Sequence, residues 1–122
     1  MKKNAMGLGA ALLLAACGGG GEETPETFEQ RSEHLATALC TYQQKCANQS
    51  GYDACHRDVI TDMADARAAL DANGQTACMT CMGVKIEELE KASNSACAQS
   101  PSQQRVIDAC GPSGDEACAG YP

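Results

Sequence analysis

Nine cysteines in 122 residues constrain this chain more than any other feature. They matter because little else could hold it together. From residue 17 onward only 11 of 106 residues are Leu, Ile, Val or Phe, and the whole chain has no Trp and four other aromatic residues. That share is below the roughly 20% at which a strongly charged chain is expected to stay unfolded. A disulfide typically contributes about 2–4 kcal/mol, chiefly by restricting the unfolded chain. Four of them would match the roughly 5–15 kcal/mol that keeps a small domain folded. Nine is odd, so one cysteine needs another role.

The first 17 residues supply that role. Met1 to Cys17 reads MKKNAMGLGAALLLAAC. Lys2 and Lys3 form a basic start, and Ala5 to Ala16 is an apolar run too short for a mature membrane span. The run ends in Leu14-Ala15-Ala16-Cys17, which resembles the lipobox of bacterial lipoprotein precursors. The resemblance implies a signal peptide over residues 1–16, cleavage after Ala16, and diacylglycerol on Cys17. Several acyl chains hold a protein to a bilayer where one alone is marginal. The residue after Cys17 is Gly18 rather than Asp, which by the same resemblance implies the outer membrane or cell surface rather than the inner membrane. Eight cysteines then remain for pairing: Cys40, Cys46, Cys55, Cys78, Cys81, Cys97, Cys110 and Cys118.

Residues 17–23 read as the lipidated cysteine and a flexible tether, Gly18 to Glu23. Residues 24–122 read as one cysteine-rich, all-α domain of three to four helices, with no alternating strand pattern. Thr24 and Pro25 suit a helix start. Phe28, Leu35, Leu39, Tyr42 and Cys46 then recur at helical spacing until Asn48 to Gly51. Ser50 and Asp53 form a variant capping box for a second helix, whose inner stripe is Cys55, Val59, Met63, Ala66 and Leu70. Asn73-Gly74 reads as its C-cap. A third helix runs from Thr76 to about Ala92, with Cys78, Met82, Ile86 and Leu89 inward. Ser100-Pro101-Ser102-Gln103 starts a fourth, ended by Gly111-Pro112.

Eight cysteines allow 105 pairings. The short loop between the first two helices favours Cys46–Cys55. Cys40–Cys97 fits an up-down-up arrangement, and the tail could carry Cys110 and Cys118 towards Cys78 and Cys81.

The remaining motifs weigh against chemistry. Cys78-Met79-Thr80-Cys81 is a CxxC at a helix start, where the dipole lowers a thiol pKa. It lacks the βαβ context of a thiol–disulfide redox enzyme, and without a second close cysteine pair it does not make a zinc site. Asp71-Ala72-Asn73-Gly74 lacks the spacing of a calcium loop. Asp58, Asp62 and Asp65, and Glu87, Glu88 and Glu90, are interspersed with Arg57, Arg67, Lys85 and Lys91, the pattern of solvated helix faces. His34 and His56 have no nearby nucleophile, and Asn48-Gln49-Ser50 is a sequon without use in a bacterial envelope. The formal charge is −7, or −9 without residues 1–16, which excludes nucleic acid as a partner.

The expected function is a non-enzymatic lipoprotein, bound to the membrane through Cys17, with a protein partner at the envelope and no cofactor or metal. The body has the general look of small cysteine-rich helical lipoproteins, a resemblance carried partly by Cys40-Thr-Tyr-Gln-Gln-Lys-Cys46. Two alternatives stay open. One is a carrier of small apolar ligands, which a cavity lined by Leu35, Leu39, Met63, Met82 and Leu89 would favour. The other is a redox protein using Cys78 and Cys81.

Overall fold

Thr27 opens the first helix, three residues later than Thr24. In the computed structural model, which describes residues 25–121, Pro25 to Thr27 are not helical. The Thr27 hydroxyl accepts from the Gln30 backbone N–H at 3.1 Å, and the Gln30 side chain accepts from the Thr27 N–H at 2.9 Å. This reciprocal capping box satisfies two N–H groups that a start at Thr24 would have left to water. Helix α1 then spans Phe28–Cys46. The expected signal peptide, lipidated Cys17 and tether all fall outside the described residues.

Helix α2 spans Tyr52–Ala69 and is capped by Gly51, not Ser50. Gly51 sits at φ +85°, ψ +40°, a left-handed conformation open to glycine and costly for serine. Asn73-Gly74 is likewise not the end of α2. The chain breaks at extended Leu70, and α3 already begins at Ala72, running to Asn94. Asp71 is its N-cap, accepting from the Gly74 N–H at 2.8 Å. A Cβ on Gly74 would stand 2.9 Å from Leu70 Cδ2. A side chain at 74 would have to displace Leu70, so glycine here serves close packing of the break and not a positive φ. Helix α4 spans Gln103–Cys110 and is capped by Ser102, whose hydroxyl accepts from the Arg105 N–H. A short 3-10 turn at Glu116–Cys118 closes the described chain.

The described residues thus form an all-α, disulfide-stapled bundle of four helices. Helix α1 is its centre, packing on α2 to one side and α3 to the other, while α4 and the 3-10 turn pack on α3. Nine large side chains are almost wholly removed from water. Three are the apolar Leu35, Met63 and Met82, one is Glu88, and five are half-cystines: Cys40, Cys78, Cys81, Cys110 and Cys118. Sulfur occupies the space that leucine and isoleucine fill in an ordinary core.

The bridges are Cys40–Cys55, Cys46–Cys97, Cys78–Cys118 and Cys81–Cys110, with Cα separations of 5.9, 5.5, 4.7 and 4.9 Å. Cys46–Cys55 and Cys40–Cys97 are therefore both corrected. A helix turns about 100° per residue, so six residues place Cys40 and Cys46 about 120° apart around α1. Only one of them can face α2. Cys55 lies a turn inside α2 and so stands level with Cys40, leaving Cys46 to meet Cys97 beyond the end of α3. The last two bridges fold the tail back onto the start of α3.

Candidate functional site

Three places bring chemistry-bearing side chains together: a buried carboxylate, a histidine clasp and the surroundings of the bridges. The first is Glu88 of α3. It was expected on a solvated face beside Glu87 and Glu90, but its side chain is only 1% exposed. It accepts from Lys91 Nζ at 2.7 Å, from the Ser102 backbone N–H at 2.8 Å and from Arg105 Nη1 at 2.5 Å. Arg105 also holds Glu87 at 2.9 Å. The Lys91 and Ser102 hydrogen bonds, helped by Arg105 and opposed by burial, hold the Glu88 carboxyl down at about 2. Every one of these partners stabilises the anion, so Glu88 fixes the start of α4 onto α3 and is unsuited to proton transfer near neutrality. A signal for its burial is legible in the register: Glu88 stands seven residues after Cys81 and four before Ala92, both buried.

The second place is His34 on α1. Its Nε2 lies 2.9 Å from Glu90 of α3 and its Nδ1 lies 3.3 Å from Glu26. The Glu90 hydrogen bond, against some burial and with help from Glu26, raises the imidazole pKa above 6.5. Burial pushes Glu26 up, but its bonds to Arg31 and His34 outweigh this and hold it low. Arg31 also reaches across to the Met79 carbonyl at 3.1 Å. The His34 side chain remains 41% exposed. It ties α1 to α3 at the surface, outside any water-limited cleft of the kind acid–base catalysis requires. His56 stacks on Tyr52, with ring centroids 5.9 Å apart, and lies 3.7 Å from Glu33.

Cys78 and Cys81 do not bond to each other. Each is held by a different tail cysteine, and all four are at most 1% exposed. Asp58 and Asp65 are exposed and Asp62 half-buried, in keeping with a solvated α2 face. Among the described residues, no group of three His, Cys, Asp or Glu side chains is placed to hold a metal ion. No described helix is long and apolar enough to cross a membrane.

Among the recesses that border α1 are two with mainly apolar walls. One of about 660 Å³ runs between α1 and α2, lined by Phe28, Ser32, Ile60, Ala64 and Leu70, with Glu29 and Arg67 ion-paired at its edge. The other, of about 240 Å³, is lined by Leu35, Leu39, Lys85, Leu89, Pro101 and Val106. Burial pushes the Lys85 ammonium down, opposed by Asp115. Met63 and Met82 do not join Leu35, Leu39 and Leu89 at a cavity; both are packed in the core at 0% exposure. No protein-family model, no curated protein and no solved structure matches this chain.

Proposed function

We propose that the chain is a lipoprotein of the bacterial cell envelope, anchored through lipid on Cys17 and displaying its helical body as a non-enzymatic interaction or structural module. The observation that carries this reading is the closed set of bridges. Eight of the nine cysteines bond among themselves within the body. The ninth is the cysteine of Leu14-Ala15-Ala16-Cys17. The Gly18–Gly21 run supplies a tether, and Gly18 favours the outer membrane. A net charge of −9 keeps the body soluble and away from anionic headgroups. Its partner is then a protein at the envelope rather than the bilayer surface. Mass spectrometry of the mature N-terminus tests the anchor. The expected result is acylated Cys17, with Cys17→Ser lost from the membrane fraction or left unprocessed. An unmodified N-terminal residue contradicts the reading.

A second reading, a carrier of small apolar ligands, is favoured by the recess between Leu35, Leu39, Leu89 and Val106. Its volume of about 240 Å³ is under the roughly 300 Å³ at which ligand pockets usually start, so its ligand would have only a few carbons. Saturable binding of a short-chain alcohol, abolished by Leu39→Phe, would support the carrier; no binding would sink it.

A further inference from the structure

Cys46–Cys97 differs from the other three bridges in its surroundings. In each of the others at least one sulfur belongs to a residue no more than 1% exposed. In this one Cys97 is exposed and Cys46 is half-buried. The backbone on the Cys97 side is strained. Ala96 and Cys97 sit at φ +54° and +67°, two successive left-handed residues without a glycine between them. Such conformations persist where the surroundings hold them; here the Ala96 and Cys97 N–H groups donate to the Ser93 and Ala92 carbonyls, and the bridge ties Cys97 as well. The segment leaving Cys97 is held by the Ala98 and Gln99 N–H groups, which donate to the Ser95 carbonyl and hydroxyl, and then at Ser102 by its bond to Glu88. Residues 98–100 are exposed between Cys97 and Ser102.

The neighbourhood also suits an incoming anion. Cys97 lines an open recess of about 520 Å³ together with Lys45, Ser93, Asn94 and Ala96. Lys45 is an exposed cation. Ser93 is only 8% exposed, and its hydroxyl has no hydrogen-bond partner among the described residues. A buried hydroxyl left without a partner is uncommon and is relieved when a polar group arrives.

We propose that Cys46–Cys97 is a thiol-exchange site, taking up a small thiol that carries a carboxylate as a mixed disulfide on Cys97. The incoming thiolate attacks Cys97 Sγ. A new sulfur–sulfur bond forms there, the Cys46–Cys97 bond breaks, and its electron pair leaves on Cys46, which takes a proton from water. Lys45 attracts the anionic reactant, and release of Ala96 and Cys97 from their left-handed conformations favours opening. The other bridges open more slowly because at least one cysteine of each is buried. The inference goes beyond the anchoring role and does not depend on it.

The test uses the full-length chain in mild detergent, exposed to glutathione for increasing times, quenched with acid and mapped by peptide mass spectrometry. The expected result is that Cys46–Cys97 opens about tenfold or more faster than any other bridge, with glutathione on Cys97. Lys45→Gln should slow the reaction with glutathione about threefold more than the reaction with uncharged mercaptoethanol, the size expected of one exposed charge. The proposal is overturned if another bridge opens first, if all four open together, if the adduct is on Cys46, or if Lys45→Gln affects both thiols equally.

Discussion

The two ends of the bundle carry two bridges each and use them differently. At the end where the tail returns, Cys78–Cys118 and Cys81–Cys110 lie wholly inside, sealing an eight-residue helix and a 3-10 turn onto α3. At the end where α1 and α3 finish, Cys40 is buried but Cys97 faces water. The tail end therefore gains twice from its sulfur: it restricts the unfolded chain and it fills the core. The outer bridge gains only the first, and strained backbone at Ala96 and Cys97 works against it. Burial, rather than the length of chain a bridge closes, is therefore expected to set what each one contributes.

Removing bridges in pairs breaks or sharpens this comparison. Loop entropy alone ranks Cys46–Cys97, with a sequence separation of 51, above Cys81–Cys110, with 29. We expect the reverse. Cys81→Ala with Cys110→Ala should cost about 3–5 kcal/mol, because a cavity adds to the lost cross-link. Cys46→Ser with Cys97→Ser should cost about 1–2 kcal/mol, the cross-link less the strain it releases. Midpoints of chemical denaturation measure both. The comparison fails if the outer pair costs more.

A smaller effect separates sulfur from charge at the tail end. Glu88→Gln keeps the shape but loses the charge facing Lys91 and Arg105, and should cost about 1–2 kcal/mol near neutral pH. Its folded pKa of about 2 lies below the ordinary 4.5. Its contribution is therefore fully present above 4.5 and is lost as pH falls through about 2. The native chain and Glu88→Gln should converge in stability across that window. A constant gap would show that the carboxylate acts by shape alone.

The smallest effect is expected at His34. Its folded pKa is raised, so the clasp contributes below 6.5 and its contribution is lost as pH rises through the folded value. His34→Gln should differ from the native chain in denaturation midpoint at about pH 5.5 and match it at about pH 9. A difference that grows with pH would contradict the Glu26–His34–Glu90 arrangement.

Particular residues explain what the sequence could and could not disclose. The four helices were legible because stripes such as Cys55, Val59, Met63 and Ala66 recur at 3.6 spacing, and because Pro101 and Ser102 announce α4 as local chemistry. The cap at Thr27 was missed because Thr24 and Thr27 are both good caps, and only the Gln30 side chain chooses between them. Asn73-Gly74 misled because glycine commonly ends helices; here it admits Leu70 to a close approach. The pairing depended on which way Cys40 and Cys46 point around α1, a rotation that loop length does not report. Glu88 was placed on the surface because its neighbours are charged. Its burial depends on Ser102 and Arg105, which reach it from a helix that starts fifteen residues later. The anchor proposed at Cys17 rests on local sequence alone, and Cys17 lies outside the described residues.

Cystine sulfur makes up for the scarcity of large apolar side chains in the core. Complete reduction and alkylation of all bridges, without denaturant, followed by a far-ultraviolet circular dichroism melt, tests this most directly. The account predicts loss of most helical signal at room temperature and no cooperative transition. A reduced chain that kept its helicity and melted cooperatively would show that the apolar side chains suffice without the bridges, and would contradict the account.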